Sequence, residues 1–461
     1  MLNVTKTLAD FVTAVRYEDL PIEAIERAKP LILDCLGAAV AGTTSPIGQI
    51  TVNLGRETAS GRDATVIGAD YATSVTSAAF INSTLAHALD IDDTAAGTVA
   101  HPSAPILPAL FALAEKNSCS ARTFLTAYVT GLEVFYRIAL ASEDQMGGWH
   151  RTSIFGALAA AAASARLLSL TAEQTSTAIG ISASLASGIQ ANFGTMTKAI
   201  QVGNAGRSGV VAALLARKEC TAQQDSLGDP AGFGLAFYAG QFDTQKIISG
   251  LGKPFNIIFP GIGVKIYPCC GLTHAPADIA LNLVRTYDIS PDQVEEIIVY
   301  GEELWPQVLV YHRPETGYQG KYSLEYVIAA AILDREITQH TFTDEKVRRP
   351  KIQALLGKIT NHVRPDSEWK SLRIHPWNHC SEVIVRLKGG TTYSGTAPCA
   401  RGYPDLPLTT QEILEKFRNC ARPTLPEQNI ELIAERALIL EAQATVADLI
   451  SLTRVPVTGK I

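Results

Sequence analysis

The chain has 461 residues, enough for two or three domains built around a large core. It is 47% hydrophobic, 18% charged and only 7% aromatic, which excludes a disordered chain and describes a globule rich in aliphatic side chains. The net charge of −6 provides no basic stripe, and no Lys/Arg cluster is interleaved with aromatics, so nucleic acid is excluded as a partner.

The first ten residues carry charges where an export signal needs an apolar core, and they lead directly into helical periodicity. Helical patterns dominate from residue 8 to about residue 253, notably over 21–29, 104–114, 121–137, 154–168 and 210–217. The Ala-rich stretch 154–168 raises the question of a membrane span. Arg166 and several serines interrupt it before ~20 residues are reached, so a buried helix is expected and no membrane partner. After Pro254 the texture changes to β-branched alternation. Residues 295–300 predict a strand, and 382–387 with 391–394 predict a hairpin around Lys388-Gly-Gly390. Helices are expected at 323–333 and 343–359 between them, and again at 410–420 and 428–440. The expected fold class is mainly α with an α+β part. A large helical domain, 1–266 completed by 403–461, would carry a smaller α+β domain, 267–402, inserted near the C-terminus. The eight cysteines lack paired spacing and read as reduced thiols, which fits the cytoplasm.

The densest polar stretch is His87-Ala-Leu-Asp90-Ile-Asp92-Asp93-Thr94, followed by His101-Pro-Ser103. If residues 82–90 are helical, His87 and Asp90 lie one turn apart on one face. An Asp beside a His holds one tautomer and raises the basicity of the ring, a common way to prepare a proton-transfer group. The structural alternative is that Asp92 or Asp93 caps the next segment while His87 and Asp90 form a buried pair.

Three further segments carry candidate chemistry. In Gly148-Trp149-His150-Arg151, the histidine would sit at the positive end of the Ala-rich helix, which favours a neutral imidazole; it could equally be a cap or core residue. Gly194-Thr-Met-Thr-Lys198 leads to Gly203-x2-Gly206-Arg207-x-Gly209 and an apolar helix from Val210. Glycines before a helix let backbone N–H groups approach an anion, with Lys198 and Arg207 as cationic partners, unless the glycines only mark close helix packing. No Walker pattern is completed, so nucleotide binding is not supported. In Lys265-x-Tyr267-Pro-Cys269-Cys270-x3-His274, one Cys-Cys-x3-His without a second ligand pair is too little for a zinc site, so no metal is expected. Lys265 and Tyr267 read as substrate contacts and the cysteines as small buried hydrophobes. Residues 311–323 add cations on an expected loop.

Together and in this order, these motifs resemble the MmgE/PrpD family over nearly the whole chain. The family includes 2-methylcitrate dehydratase, cis-aconitate decarboxylase and iminodisuccinate epimerase. The resemblance implies a helical domain with a smaller α+β lid domain, a homodimer, and catalysis without metal or organic cofactor. Its three reactions share one problem: moving a proton on carbon beside a carboxylate while holding a polyanion, which needs cations and a positioned acid/base pair. By position, the resemblance implies His101 and His150 as acid/base groups, Asp90 as orienter of a histidine and Lys198 as clamp or proton donor. It also implies Thr94 and Lys265 at polar active-site positions, Lys265 as a carboxylate clamp or proton donor; Tyr267, Arg207 and Arg151 join them as substrate-binding candidates on the chemistry of their own side chains. Two positions depart from the pattern. Cys270 stands where the decarboxylase branch carries a histidine, and Arg151, in place of a proline or small residue, could clamp a carboxylate or face solvent.

The expected function is therefore a cofactor-independent lyase acting on a small di- or tricarboxylate by dehydration or decarboxylation, with iminodisuccinate-type epimerisation as the alternative. Two readings come from other classes. Residues 90–93 fit the DxDD pattern of helical terpene cyclases, but 7% aromatics argues against carbocation chemistry, and no DDxxD magnesium motif is completed. A non-catalytic helical scaffold would tolerate loss of His101 and Lys198.

Overall fold

The computed structural model describes residues 3–142 and 147–455. The chain forms two compact units: Met1–Ala191, Thr197–Ile262 and Thr409–Ile461 make one, and Asn192–Met196 with Gly263–Leu408 make the other.

The first unit is helical. Its longer helices are α1 (Val4–Ala14), α2 (Ile22–Gly42), α3 (Pro46–Glu57), α4 (Val75–His87), α5 (Ser103–Asn117), α6 (Ala121–Ala141), α7 (Arg151–Leu167), α8 (Ala172–Leu185) and α9 (Thr197–Arg217). Side chains define several starts: Ser74 accepts from Ser77 N at α4, Ser120 from Thr123 N at α6, and Thr171 forms a capping box with Gln174 at α8. The core is the packing of α4, α5, α7 and α9 on one another. Their facing residues are small. Ala157 and Ala159 to Ala163 of α7 are all buried, so helix axes approach closely and leave little room for solvent. Helix α6 is long and apolar enough to cross a membrane, but 94% of its most apolar window is buried inside the protein, as in a core helix.

The glycine-rich stretch follows the close-packing alternative and does not precede a helix at Val210. Helix α9 begins at Thr197, so Gly203, Gly206 and Gly209 lie inside it. A Cβ at Gly203 would lie 2.0 Å from Thr84 Oγ1, at Gly206 2.3 Å from Ser83 Oγ, and at Gly209 2.5 Å from Ala160 Cβ. Tertiary packing on α4 and α7 outweighs the cost of about 1 kcal/mol for each helical glycine. These residues are helix contacts and do not form an anion cradle.

The second unit holds α10 (His274–Thr286), β1 (Val294–Gly301), α11 (Leu324–Asp334), β2 (Ile359–Val363), β3 (Ser381–Leu387) and β4 (Thr392–Ala397). The sheet order is β2-β1-β3-β4; β1 and β2 are parallel and the other pairs antiparallel. Alternation explains β3: Val383 and Val385 are buried, and Val383 pairs with Val299 of β1. Helix α10 covers β3 and β4 and packs on α11. The expected helix at 343–359 is broken. Arg349 is extended before Pro350, so Asp344–Val347 and Pro350–Leu356 are separate short helices, and Ile359 opens β2.

The chain then returns to the first unit through α12 (Thr410–Ala421) and α13 (Glu427–Leu438), both packed on α2.

Candidate active site

The residues of the 87–103 stretch form one buried cluster in the helical unit, held from several directions. Helix α4 ends at His87, and Asp90 takes a left-handed backbone conformation with φ +57°. That conformation is tolerable for Asp because its short side chain hydrogen-bonds locally. The turn therefore removes Asp90 from the helical face expected for it, and the partner of His87 Nδ1 is Asp92, with Oδ2 at 2.7 Å. From the far end of the chain, Lys416 of α12 donates to the Ile91 carbonyl at 2.7 Å and pairs with the buried Asp34, fixing the loop between the two carboxylates. Asp93 accepts from Ser103 N at 3.1 Å and also hydrogen-bonds the Ser103 hydroxyl, which contacts Tyr128 OH at 2.6 Å. Asp93 thus satisfies the first N–H of α5, the capping role foreseen for Asp92 or Asp93. Burial pushes its carboxyl up to about 8.

Three imidazoles meet here. The ring centroids of His101 and His150 lie 4.9 and 5.7 Å from that of His87. In each ring Nδ1 faces an atom that can only accept, which sets the tautomer. His87 Nδ1 faces the Asp92 carboxylate, and His101 Nδ1 faces the Asp93 carbonyl at 2.7 Å. His150 Nδ1 faces Gln201 Oε1 at 2.7 Å, and the Gln201 amide is oriented because its Nε2 donates to Ile189 O at 3.1 Å. Every ring therefore donates through Nδ1 and presents Nε2 as its acceptor. His150, at the N-cap of α7, is held well below the ordinary imidazole range by burial and by the neighbouring Lys198 and His87, so it is neutral. The His101 backbone N–H donates to Thr152 Oγ1 at 3.1 Å, and its ring is 12% exposed against 0% for His87, so His101 is the more open of the two to a solute.

Lys198, one residue into α9, brings the cation. Its Nζ lies 2.7 Å from His87 Nε2 and 3.2 Å from Asp90 Oδ1; the same Asp90 oxygen is 3.7 Å from His101 Nε2. Ligand atoms of His87, Asp90, Asp92 and His101 lie within 4.8 Å of one another, a spacing that a divalent ion could bridge. The Lys198 amine stands against two members of that set, His87 and Asp90, where it would compete with such an ion.

Asp90, His101, His150 and Lys198 are thus brought together as the sequence places them, and Thr94 is buried just beyond the loop, its hydroxyl 3.4 Å from Ala100 O. Arg151 is buried, which removes the solvent-facing option; its guanidinium donates to Ser142 Oγ at 3.1 Å and lies over the Phe155 ring. Arg207 is exposed on α9 and does not join the cluster, because the helix begins thirteen residues earlier than the expected start at Val210. Lys265 and Tyr267 belong to the second unit. There Lys265 is buried, and Tyr267 donates to Asp278 Oδ1 at 2.7 Å, with its hydroxyl pushed above the ordinary phenol range by burial and that carboxylate. Cys269 and Cys270 are buried as expected for small hydrophobes; Cys270 N donates to Lys321 O. The sequence reading missed Gln201, Thr152 and Lys416. Gln201 stands three residues after Lys198 on the same helix, a spacing that places both on one face and could have identified it.

Comparison with known proteins bears on this cluster. The MmgE/PrpD N-terminal domain matches residues 6–245, and the MmgE/PrpD C-terminal domain matches residues 267–440. The chain is 30% identical over 455 residues to a cis-aconitate decarboxylase of Homo sapiens, with 95% of this chain and 92% of the relative covered. It is 29% identical to the cis-aconitate decarboxylase of Mus musculus, covering 93% and 89%, and 26% identical to that of Aspergillus terreus, covering 100% and 97%. With both family domains matched in order and relatives aligned along nearly their full length, this chain belongs to the MmgE/PrpD family.

Proposed function

We propose that the protein is a lyase that decarboxylates a small unsaturated tricarboxylate of the cis-aconitate type without an organic cofactor. The observation that carries this reading is the buried cluster of three imidazoles, each donating through Nδ1, around the Lys198 amine. Cleaving a C–CO2 bond leaves an electron pair that spreads into the adjoining unsaturated carboxylate, and a positive group near that charge lowers the barrier. A proton must then reach carbon. In this reading Lys198, 3.2 Å from Asp90, supplies the charge, and His101, the more open ring, exchanges protons with a bound acid. His150, kept neutral by burial, suits a hydrogen-bond or base role. The relatives named above favour decarboxylation over dehydration. Cys270, the departure from the decarboxylase pattern, is buried with its backbone bonded to Lys321, so that position supplies no cation here. Lys265, Tyr267, Thr94 and Arg151 are proposed as further contacts to substrate carboxylates. The eight cysteines stand as thiols, which supports a reducing, cytoplasmic setting.

The test is incubation with cis-aconitate, 2-methylcitrate or iminodisuccinate in D2O, followed by NMR. CO2 release with one deuterium on carbon of a C5 unsaturated dicarboxylate is the expected result. Water loss from 2-methylcitrate alone would make the protein a dehydratase. Deuterium incorporation with inversion and neither alkene nor CO2 would make it an epimerase.

A further inference from the structure

The mechanism above leaves two buried groups without a part: Asp92 and His87. Their side chains are both 0% exposed, and they form a line with the amine, Asp92 Oδ2 to His87 Nδ1 at 2.7 Å and His87 Nε2 to Lys198 Nζ at 2.7 Å. We propose that Asp92 and His87 are positioning residues that keep Lys198 protonated and aimed, making it the proton donor to the substrate carbon; this rests on the polycarboxylate reading above.

The direction of the hydrogen bonds carries the argument. An ionised carboxylate only accepts, so the His87 proton sits on Nδ1 and Nε2 holds a lone pair. Lys198 must then donate to Nε2, and only the amine's N–H can fill that bond. Buried amines lose their proton readily, because low dielectric penalises the charge. Here the negative Asp92, acting through a polarisable ring, and the nearer Asp90 at 3.2 Å oppose that loss. Among the described residues, His150, from the start of α7, which is neutral, and His101, 3.7 Å beyond Asp90, also stand near the amine. Neither supplies negative charge; the Asp92–His87 line and Asp90 do. In the reaction, the C–CO2 bond breaks and its electron pair remains on carbon and the adjoining carboxylate. An Nζ–H bond then breaks as the C–H bond forms. Lys198 is left as a neutral amine, and water returns its proton once CO2 and product have gone.

The experiment is NMR titration of protein carrying 13Cε-lysine, with the Lys198 signal assigned by its loss in Lys198→Met, alongside the pH profile of kcat. Wild-type Lys198 is expected to be charged at pH 7. In Asp92→Asn, and in His87→Gln, which keeps an acceptor oxygen but breaks the link to Asp92, its midpoint should fall by about one pH unit or more, and the alkaline limb of kcat should fall with it. A merely structural role would lower thermal stability or kcat without moving either midpoint. A neutral Lys198 at pH 7 in the wild type, or an unmoved midpoint in whichever variants fold, overturns the proposal. The titration judges the Asp92–His87 line even if no polycarboxylate turns over; a moved midpoint with no turnover would overturn only the proton-donor role, together with the reading on which it rests.

Discussion

Two polar clusters of the described residues, one around Glu302 in the α+β unit and one around His87 in the helical unit, are built to opposite ends. In the α+β unit, Glu302 accepts from Arg373 Nη2 at 2.7 Å, His379 Nδ1 at 2.9 Å and Cys380 N at 2.8 Å, while Arg373 also holds Asp366. Burial alone would raise that carboxyl, but the three donors outweigh it and hold it below the usual range. Donors there surround one acceptor, a saturated arrangement that fastens Cys380, at the start of β3, to Glu302 just past the end of β1. In the helical unit, each of three histidines is held at Nδ1 by a different partner, and the Lys198 amine stands at the Nε2 of one of them. Similar residue types make a structural rivet in one place and, in the proposed function, a set of proton carriers in the other. The difference lies in whether the donors converge on one acceptor.

Substitutions that discriminate between the clusters should give opposite signatures. Lys198→Met and His101→Asn are expected to reduce kcat on the tricarboxylate by about 10²–10⁴, with unfolding temperatures within a few degrees of the wild type; retained turnover in both would remove these two side chains from the chemistry. Glu302→Gln should do the reverse. Arg373 would lose a buried charge partner, and stability measured by urea unfolding should drop by about 3 kcal/mol, while kcat per folded molecule stays within twofold. A selective loss of turnover in Glu302→Gln would show that the second cluster is more than a rivet.

The two clusters also differ in how far they could be read without coordinates. The sheet that carries Glu302 was legible because residues 295–300 and 382–394 alternate at period two around Gly389-Gly390, and the structure places strands there. Asp90, His101, His150 and Lys198 were legible as a set through the family resemblance of their motifs, although they come from three separate segments. Their pairing was not. Sequence distance assigns His87 to Asp90 on a continuing helix, whereas the left-handed turn at Asp90 hands the ring to Asp92. Gly203, Gly206 and Gly209 leave two readings open, an anion-facing helix start or close helix packing, because local propensity opposes helix there. Contacts with Thr84, Ser83 and Ala160, distant in sequence, reverse that preference. Lys416 could not be connected to Ile91 at all, since 325 residues separate them.

Behind the imidazoles, Asp93 gives the cluster a pH signature that Glu302 lacks. Burial pushes its carboxyl up to about 8 in the folded protein, against 3.8 for an unperturbed Asp. Between those limits the folded chain holds a proton that the unfolded chain has released, so Asp93 makes stability decline as pH rises through that window. Asp93→Asn retains an acceptor for Ser103 N and removes the titration. Urea unfolding at pH 5 and pH 8 should therefore show the wild type losing more stability than the variant, by about 1–3 kcal/mol. Equal losses would mean that Asp93 is ionised when folded.

The smallest expected effect tests where the helical cluster stops. Arg207 shares α9 with Lys198, and if the glycines had formed a loop its guanidinium would face a bound anion. The helix from Thr197 instead leaves it exposed, nine residues from Lys198, while the next residue, Ser208, is buried. Nine residues along an α-helix correspond to two and a half turns, so the two side chains project from opposite faces. Arg207→Ala should accordingly leave stability within about 0.5 kcal/mol and both kcat and KM for the tricarboxylate within twofold. A tenfold rise in KM with kcat unchanged would mean that the substrate's carboxylates are gathered from the outer face of α9 as well, and the boundary drawn around the imidazoles would have to move outward to include it.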